Sequence, residues 1–191
     1  GTGKLFESND PFSVDTQTIY GIWDKTGISS VTPTTISGTS SLVRQTQSSV
    51  GAGLTLLSSN PVDWATKRGW YINLTAGERV TIDPVVIYTS VFYTTITPGS
   101  VNDPCVTSGT SMNLFFDPIT GGAINSITLD TNKNGTVEVT DIKASGMEVP
   151  LTFGSTLLRR KGGITIVQPG ADGKLDAPPA TPPQIPALRL W

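Results

Sequence analysis

One stretch of this chain has the residue types and spacing for chemistry: Asp130-Thr-Asn-Lys-Asn-Gly-Thr-Val-Glu-Val-Thr-Asp141. Oxygen-bearing side chains stand at loop positions one, three, five, nine and twelve, as Asp130, Asn132, Asn134, Glu138 and Asp141. Gly135 occupies position six, where an EF-hand-type loop turns sharply, and Thr136 at position seven offers a backbone carbonyl. Hard cations take six to eight oxygen ligands at about 2.3–2.6 Å, and this alternation points oxygens inward from a tight turn. The pattern matches the calcium-loop motif, except that its last acid is Asp instead of the longer Glu. The expected ligands for Ca2+ are therefore Asp130, Asn132, Asn134, Thr136, Glu138 and Asp141. An Asn-Gly hairpin kept soluble by its acids is the plainer alternative. With three formal negative charges the loop predicts weak to intermediate affinity, and mutual repulsion predicts that it loosens without the ion.

Composition excludes several other chemistries. The 191 residues contain no histidine, which removes Ser-His-Asp and Cys-His catalysis and His-ligated zinc or haem. Net charge is −2, and the only basic run is Arg159-Arg160-Lys161, too short for a nucleic-acid footprint. No apolar stretch is long enough to span a membrane as a helix. The single cysteine, Cys105, has no partner within the chain for a disulfide. If the protein is exported, its signal is expected upstream of Gly1.

The elements that must position the loop read as strands. Ser, Thr, Val, Ile and Gly are abundant and only 15% of residues are charged, a composition suited to β-structure with many turns. Strand patterns fall at Thr16–Trp23, 42–46, 54–57, 69–74, 85–88, 91–96, 111–117, 124–129, 147–152, 155–159 and 164–168. The near-continuous hydrophobicity of 85–96 predicts a hairpin buried on both faces. Residues 62–67 suit a single helical turn, and 28–41 a loop. Residues 176–187 are rich in proline, cannot sit in a central strand, and predict a C-terminal connector following a domain over 1–175. The phrase Asp-x-x-Thr-Gly after a strand appears in Leu114-Phe-Phe-Asp-Pro-Ile-Thr-Gly121 and, in a weaker form one residue shorter, at Asp24-Lys-Thr-Gly27. Asp caps such a turn and Gly supplies positive φ. These turns recur at blade ends of β-propellers. The fold class expected is all-β: two or three C-terminal blades of a modified β-propeller, with the EF-hand-like calcium loop held between strands.

Several segments taken in order carry a resemblance. They are Gly1-Thr-Gly-Lys-Leu-Phe6, Thr18-Ile-Tyr-Gly-Ile-Trp-Asp24, Leu42-Val-Arg-Gln-Thr46, Gly69-Trp-Tyr-Ile-Asn-Leu74, Val91-Phe-Tyr-Thr-Thr95, Asp103-Pro-Cys105 and Leu114–Gly121. The series, over about residues 1–168, resembles the C-terminal domain of the PilY/PilC family of type IV pilus-associated proteins. The resemblance implies a modified β-propeller at the tip of a bacterial type IV pilus, outside the cell. It implies roles in pilus assembly, twitching motility and adhesion. Minor pilins are the implied partners, with a host or surface receptor as a further one. It also implies a calcium loop over Asp130, Asn132, Asn134, Thr136 and Glu138. This chain departs in having Asn134 and Glu138 where the family commonly has Asp. On this reading the protein is not an enzyme. The alternatives are a generic extracellular calcium-stabilised β-module that binds carbohydrate, for which Trp23, Trp64, Trp70, Tyr71 and Trp191 could form a platform, and a quinoprotein-like propeller enzyme.

Overall fold

The computed structural model describes residues 1–25, 35–99 and 108–183. Expectations that fall on Thr26-Gly27, Pro33, Asp103-Pro104-Cys105 and the tail with Trp191 lie outside the described residues.

Among the described residues the chain is all-β. Its helical content is one 3-10 turn, Asp10–Phe12. The strands are β1 (Thr18–Ile22), β2 (Val43–Gln45), β3 (Gln47–Gly51), β4 (Leu54–Leu57), β5 (Gly69–Asn73), β6 (Val85–Ile87), β7 (Ser90–Pro98), β8 (Gly109–Phe116), β9 (Gly146–Pro150), β10 (Thr156–Arg160), β11 (Gly163–Pro169), β12 (Leu175–Asp176) and β13 (Pro179–Ala180). They form three open sheets. The largest is antiparallel, in the order β3-β4-β9-β8-β7-β6. A three-stranded sheet, β1-β5-β2, has a parallel β2–β5 pair. A four-stranded sheet joins β10, β11, β12 and β13 around β11.

Alternation along the long strands makes this a three-layer stack. Val91, Tyr93, Leu114 and Phe116 point to one face of the six-stranded sheet and pack with Ile19, Trp70 and Ile72 from the β1-β5-β2 sheet. Phe92 and Phe115 point to the other face and pack with Ile164, Ile166 and Ala180 from the β11 sheet. Side chains alternate across a strand, so β7 and β8 feed both cores, which accounts for their hydrophobic runs. The face pairs are aromatic: Trp70 meets Phe116 edge-on at 5.4 Å, and Phe92 meets Phe115 at 4.8 Å.

Four expectations need correction. Residues 124–129 form no strand; they contain a bend at Asn125-Ser126, and their one pairing is an isolated bridge from Leu129 to Ala180. The acidic loop therefore does not run from strand to strand: only its exit, through Gly146, enters a ladder. Val85 and Val86 are 36% and 69% exposed, because β6 is an edge strand and only β7 of that hairpin is covered on both faces. Polar Gln47–Gly51, between two expected strands, adds a strand of its own whose register shifts between Ser49 and Gly51. The proline-rich segment does join a sheet at Pro179-Ala180. The ladder tolerates it because the bond runs from the Ile166 N–H to the Pro178 carbonyl at 2.9 Å, a link that asks for no donor from proline.

The turn at Asp117 forms as its residue types require. The Asp117 carboxylate accepts the N–H groups of Ile119 and Thr120 at 2.7 and 2.9 Å, and Gly121 takes φ 69°. Gly121 lies against the Trp70 indole, whose Nε1 donates to the Pro118 carbonyl. Buried Gln45 ties this corner together. Its amide donates to the carbonyls of Asn60 and Thr120 and accepts from Ser58 and Asn60.

Candidate metal centre

The loop is shaped by its own side chains. The Asn132 Oδ1 accepts the Asn134 N–H at 3.0 Å, and the Asn134 Oδ1 accepts the Thr136 N–H at 2.9 Å. Two successive side-chain-to-backbone turns of this kind bend the chain every second residue and hold alternate oxygens to one side. Asp130 anchors the start: its two oxygens accept the N–H groups of Asn134 and Gly135 at 3.1 and 2.7 Å. Gly135 has φ 91° with open space where a Cβ would stand, so backbone conformation and not packing selects glycine. Lys133 also takes a positive φ, 60°.

Glu138 closes the far side. Its carboxylate accepts from the Asn134 amide at 2.7 Å and from the Thr140 hydroxyl at 2.8 Å. Asp141 turns to the base of the loop. One of its oxygens accepts the N–H groups of Thr131 and Asn132 at 2.7 and 3.0 Å, and the other accepts the Glu138 N–H at 2.8 Å. Burial alone would push the Asp141 carboxyl up. The amide donors of Glu138, Asn132 and Thr131, with the Thr131 hydroxyl, outweigh it and hold the group below the ordinary carboxylate range. Asp130 and Asp141 are buried at 3% and 6% exposure, while Asn132, Asn134, Thr136 and Glu138 are exposed.

The structure thus brings all six expected residues into one hydrogen-bonded loop and divides their work. Asp130, Asn132, Asn134 and Glu138 form the alternating oxygen set, with Thr136 following the Asn134 turn. Asp141 braces the base. Among the described residues no group of three or more His, Cys, Asp and Glu is gathered at one point, so the set leans on neutral amide and carbonyl oxygens. An all-oxygen donor set in a tight loop suits a hard cation.

Sequence reasoning missed the loop's footing. The Thr128 carbonyl accepts the Thr181 N–H at 2.8 Å, and Leu129 bridges Ala180. A cleft of about 440 Å³ lies between the loop, at Asp130, Lys133 and Gly135, and the 176–179 segment, with Glu148 on its wall. No local pattern marks this contact, which joins residues about fifty positions apart.

The aromatic candidates separate. Trp70 is buried core. Trp23 and Trp64 meet edge-on at 5.4 Å and, with Ile22, Pro118 and Ile119, line an apolar groove of about 380 Å³. The Lys25 ammonium lies over the Trp23 ring at 4.3 Å.

No protein-family model matches the sequence. Individual relatives do. The chain is 33% identical over 163 residues to the type IV pilus biogenesis factor PilY1 of Pseudomonas aeruginosa, an alignment covering 72% of this chain. It is 30% identical over 130 residues, 64% of this chain, to the PilY1 homolog of Xylella fastidiosa. The crystal structure of the Pseudomonas aeruginosa PilY1 C-terminal domain superposes with a TM-score of 0.70 at 25% identity, over 94% of this chain. The chain belongs to the PilY/PilC family. It matches part of the PilY1 C-terminal domain, 40% of the crystallised chain, and spans 14% and 9% of the two relatives' length. Among the described residues no helix is long and apolar enough to cross a membrane.

Proposed function

We propose that this chain is the calcium-binding C-terminal part of a type IV pilus biogenesis factor. It acts without catalysis, on the outside of the bacterium at the pilus tip. There it supports pilus assembly, twitching motility and surface attachment, with minor pilins as partners and a host or surface receptor as a further one. The observation that carries this reading is the likeness to PilY1 in both sequence and fold, across most of the chain. The stacking of three sheets, the middle one covered on both faces, supports a modified propeller in which each sheet is the remnant of a blade. The oxygen loop supports the ion. Asp130, Asn132, Asn134 and Glu138 would hold Ca2+ by their side chains and Thr136 by its carbonyl, while Asp141 keeps the loop closed. Bound there, the ion would supply charge neutralisation and crosslinking, not reaction chemistry.

The test is genetic and calorimetric together. A type IV piliated strain that depends on this protein is complemented with the natural gene or with Asp130→Ala. Calcium heats are measured on the chain carrying the same change. The expected result is loss of calcium heat together with altered surface piliation or twitching. Unchanged piliation and twitching in a strain lacking the protein altogether would defeat the pilus reading.

One observation favours a second reading, a carbohydrate-binding module: the half-buried Trp23–Trp64 pair lines an open groove. Sugar faces stack on such rings. A glycan array that lights with the chain and goes dark with Trp64→Ala would move the function there.

A further inference from the structure

The calcium loop and the C-terminal segment 175–183 are one mechanical unit. The loop enters through Thr128 and Leu129, and both are attached to the tail: Thr181 donates its N–H to the Thr128 carbonyl at 2.8 Å, and Leu129 bridges Ala180. The tail is attached in turn to β11, with Ala180 opposite Ile164 and the Ile166 N–H bonded to the Pro178 carbonyl at 2.9 Å. Leu129, Ala180, Ile164 and Ile166 are fully buried in one cluster. Asp130, the first oxygen donor, is the next residue after Leu129. It lies one residue beyond the bridge and two beyond the Thr128 carbonyl, so fixing its carboxylate restrains the short segment that the tail holds.

Charge points the same way. The cleft between loop and tail is lined by Asp130, Glu148 and Asp176, with Lys133 the cation there. Docking the tail brings the exposed Asp176 carboxylate to the rim of a cleft whose far side carries Asp130 and Glu148. A divalent cation in the loop relieves that repulsion.

We propose that calcium occupancy of the loop and docking of residues 175–183 are a single coupled equilibrium, in which the proline-rich tail is the element that reports the ion to the rest of the protein. This rests on the calcium reading of the loop. Coupling of this kind is reciprocal: the tail must tighten the ion by the factor by which the ion tightens the tail.

The experiment uses the full 191-residue chain. Amide exchange is followed by NMR in excess calcium chloride and in excess chelator, with the β8 ladder as internal reference. The expected result is that the Thr181 and Ile166 amides exchange at least about fivefold more slowly with calcium. The difference should vanish in Asp130→Ala. Thr181→Pro, in a segment that already carries four prolines, removes the N–H that Thr128 accepts, and should weaken calcium binding by calorimetry by a similar factor. Asp176→Asn, at an exposed position, should slow tail exchange in chelator and shrink the calcium effect. Calcium heat with unchanged Thr181 and Ile166 exchange would overturn the coupling and leave the calcium reading standing. An unaltered calcium affinity in Thr181→Pro would overturn it as well. Absence of any calcium heat in the natural chain would overturn both together.

Discussion

Asp141 shows how a residue's chemistry depends on where its neighbours' N–H groups point. Its oxygens accept three backbone amides and one hydroxyl. Asp141→Asn would present an NH2 group to one set of those donors, and we expect a loss of about 1.5–3 kcal/mol in chemical denaturation. The sign of the pH effect follows from the lowered carboxyl. The stabilisation is fully present above the ordinary aspartate value near ~3.9 and is lost as pH falls through the lower folded value. The Glu138 and Thr131 amides should therefore lose protection below about pH 4, ahead of the β8 amides. Two glycines make a matched pair. Gly121→Ala would combine a positive φ of 69° with a Cβ 2.3 Å from the Trp70 indole, whereas Gly135→Ala would combine a φ of 91° with open space. Gly135→Ala should cost about 1 kcal/mol and Gly121→Ala at least about 2 kcal/mol, the latter with a shift in tryptophan emission. Local rules made the loop legible in the sequence, since its turns join residues two apart. They marked Asp141 as a ligand but not as the brace of the loop base, because its partners lie up to ten positions away.

At the scale of elements, the buried Arg79 pins the N-terminal segment to the edge of the stack. Its guanidinium donates to the carbonyls of Gly77, Lys4, Asp10 and Ser13, and no carboxylate partner is needed. Arg79→Lys keeps the charge but not the planar fork, so it should recover little of the loss in Arg79→Met; urea midpoints of the two variants would show this. The strongest strands, β5, β7 and β8, were readable because their residue types and their burial agree. Gln47–Gly51 was not readable, since a polar edge strand has no apolar face to betray it. Its pairing comes from β4 across a tight turn through Ala52 and Gly53. Residues 124–129 failed in the opposite sense. They carry strand-like residues, but Leu129 is spent on a single bridge and not a ladder. The Pro179-Ala180 strand escaped because proline was weighed as a missing donor, whereas this ladder draws on the carbonyl of Pro178.

For the whole molecule, the decisive feature is a middle sheet covered on both faces. Phe115→Ala and Phe116→Ala remove side chains from opposite cores. Each should cost about 3–5 kcal/mol, and thermal unfolding seen by tryptophan fluorescence should stay coincident with loss of the β11 amides if the three layers melt together. An all-β class was legible from composition and turn spacing. Layering was not, because it depends on which distant strands meet: β4 and β9 pair although about ninety residues separate them.

That pairing has a consequence for how the chain comes to be folded. The strand β9 enters between β4 and β8, joining a hairpin made early in the sequence to a meander made in its middle. Until residues 146–150 arrive, both neighbours present unpaired backbone and apolar faces, and the acidic loop is the stretch of chain that must deliver the missing strand to its slot. Assembly should be slow, as such non-local pairing is, and a chain interrupted before Gly146 should be held by chaperones or precipitate.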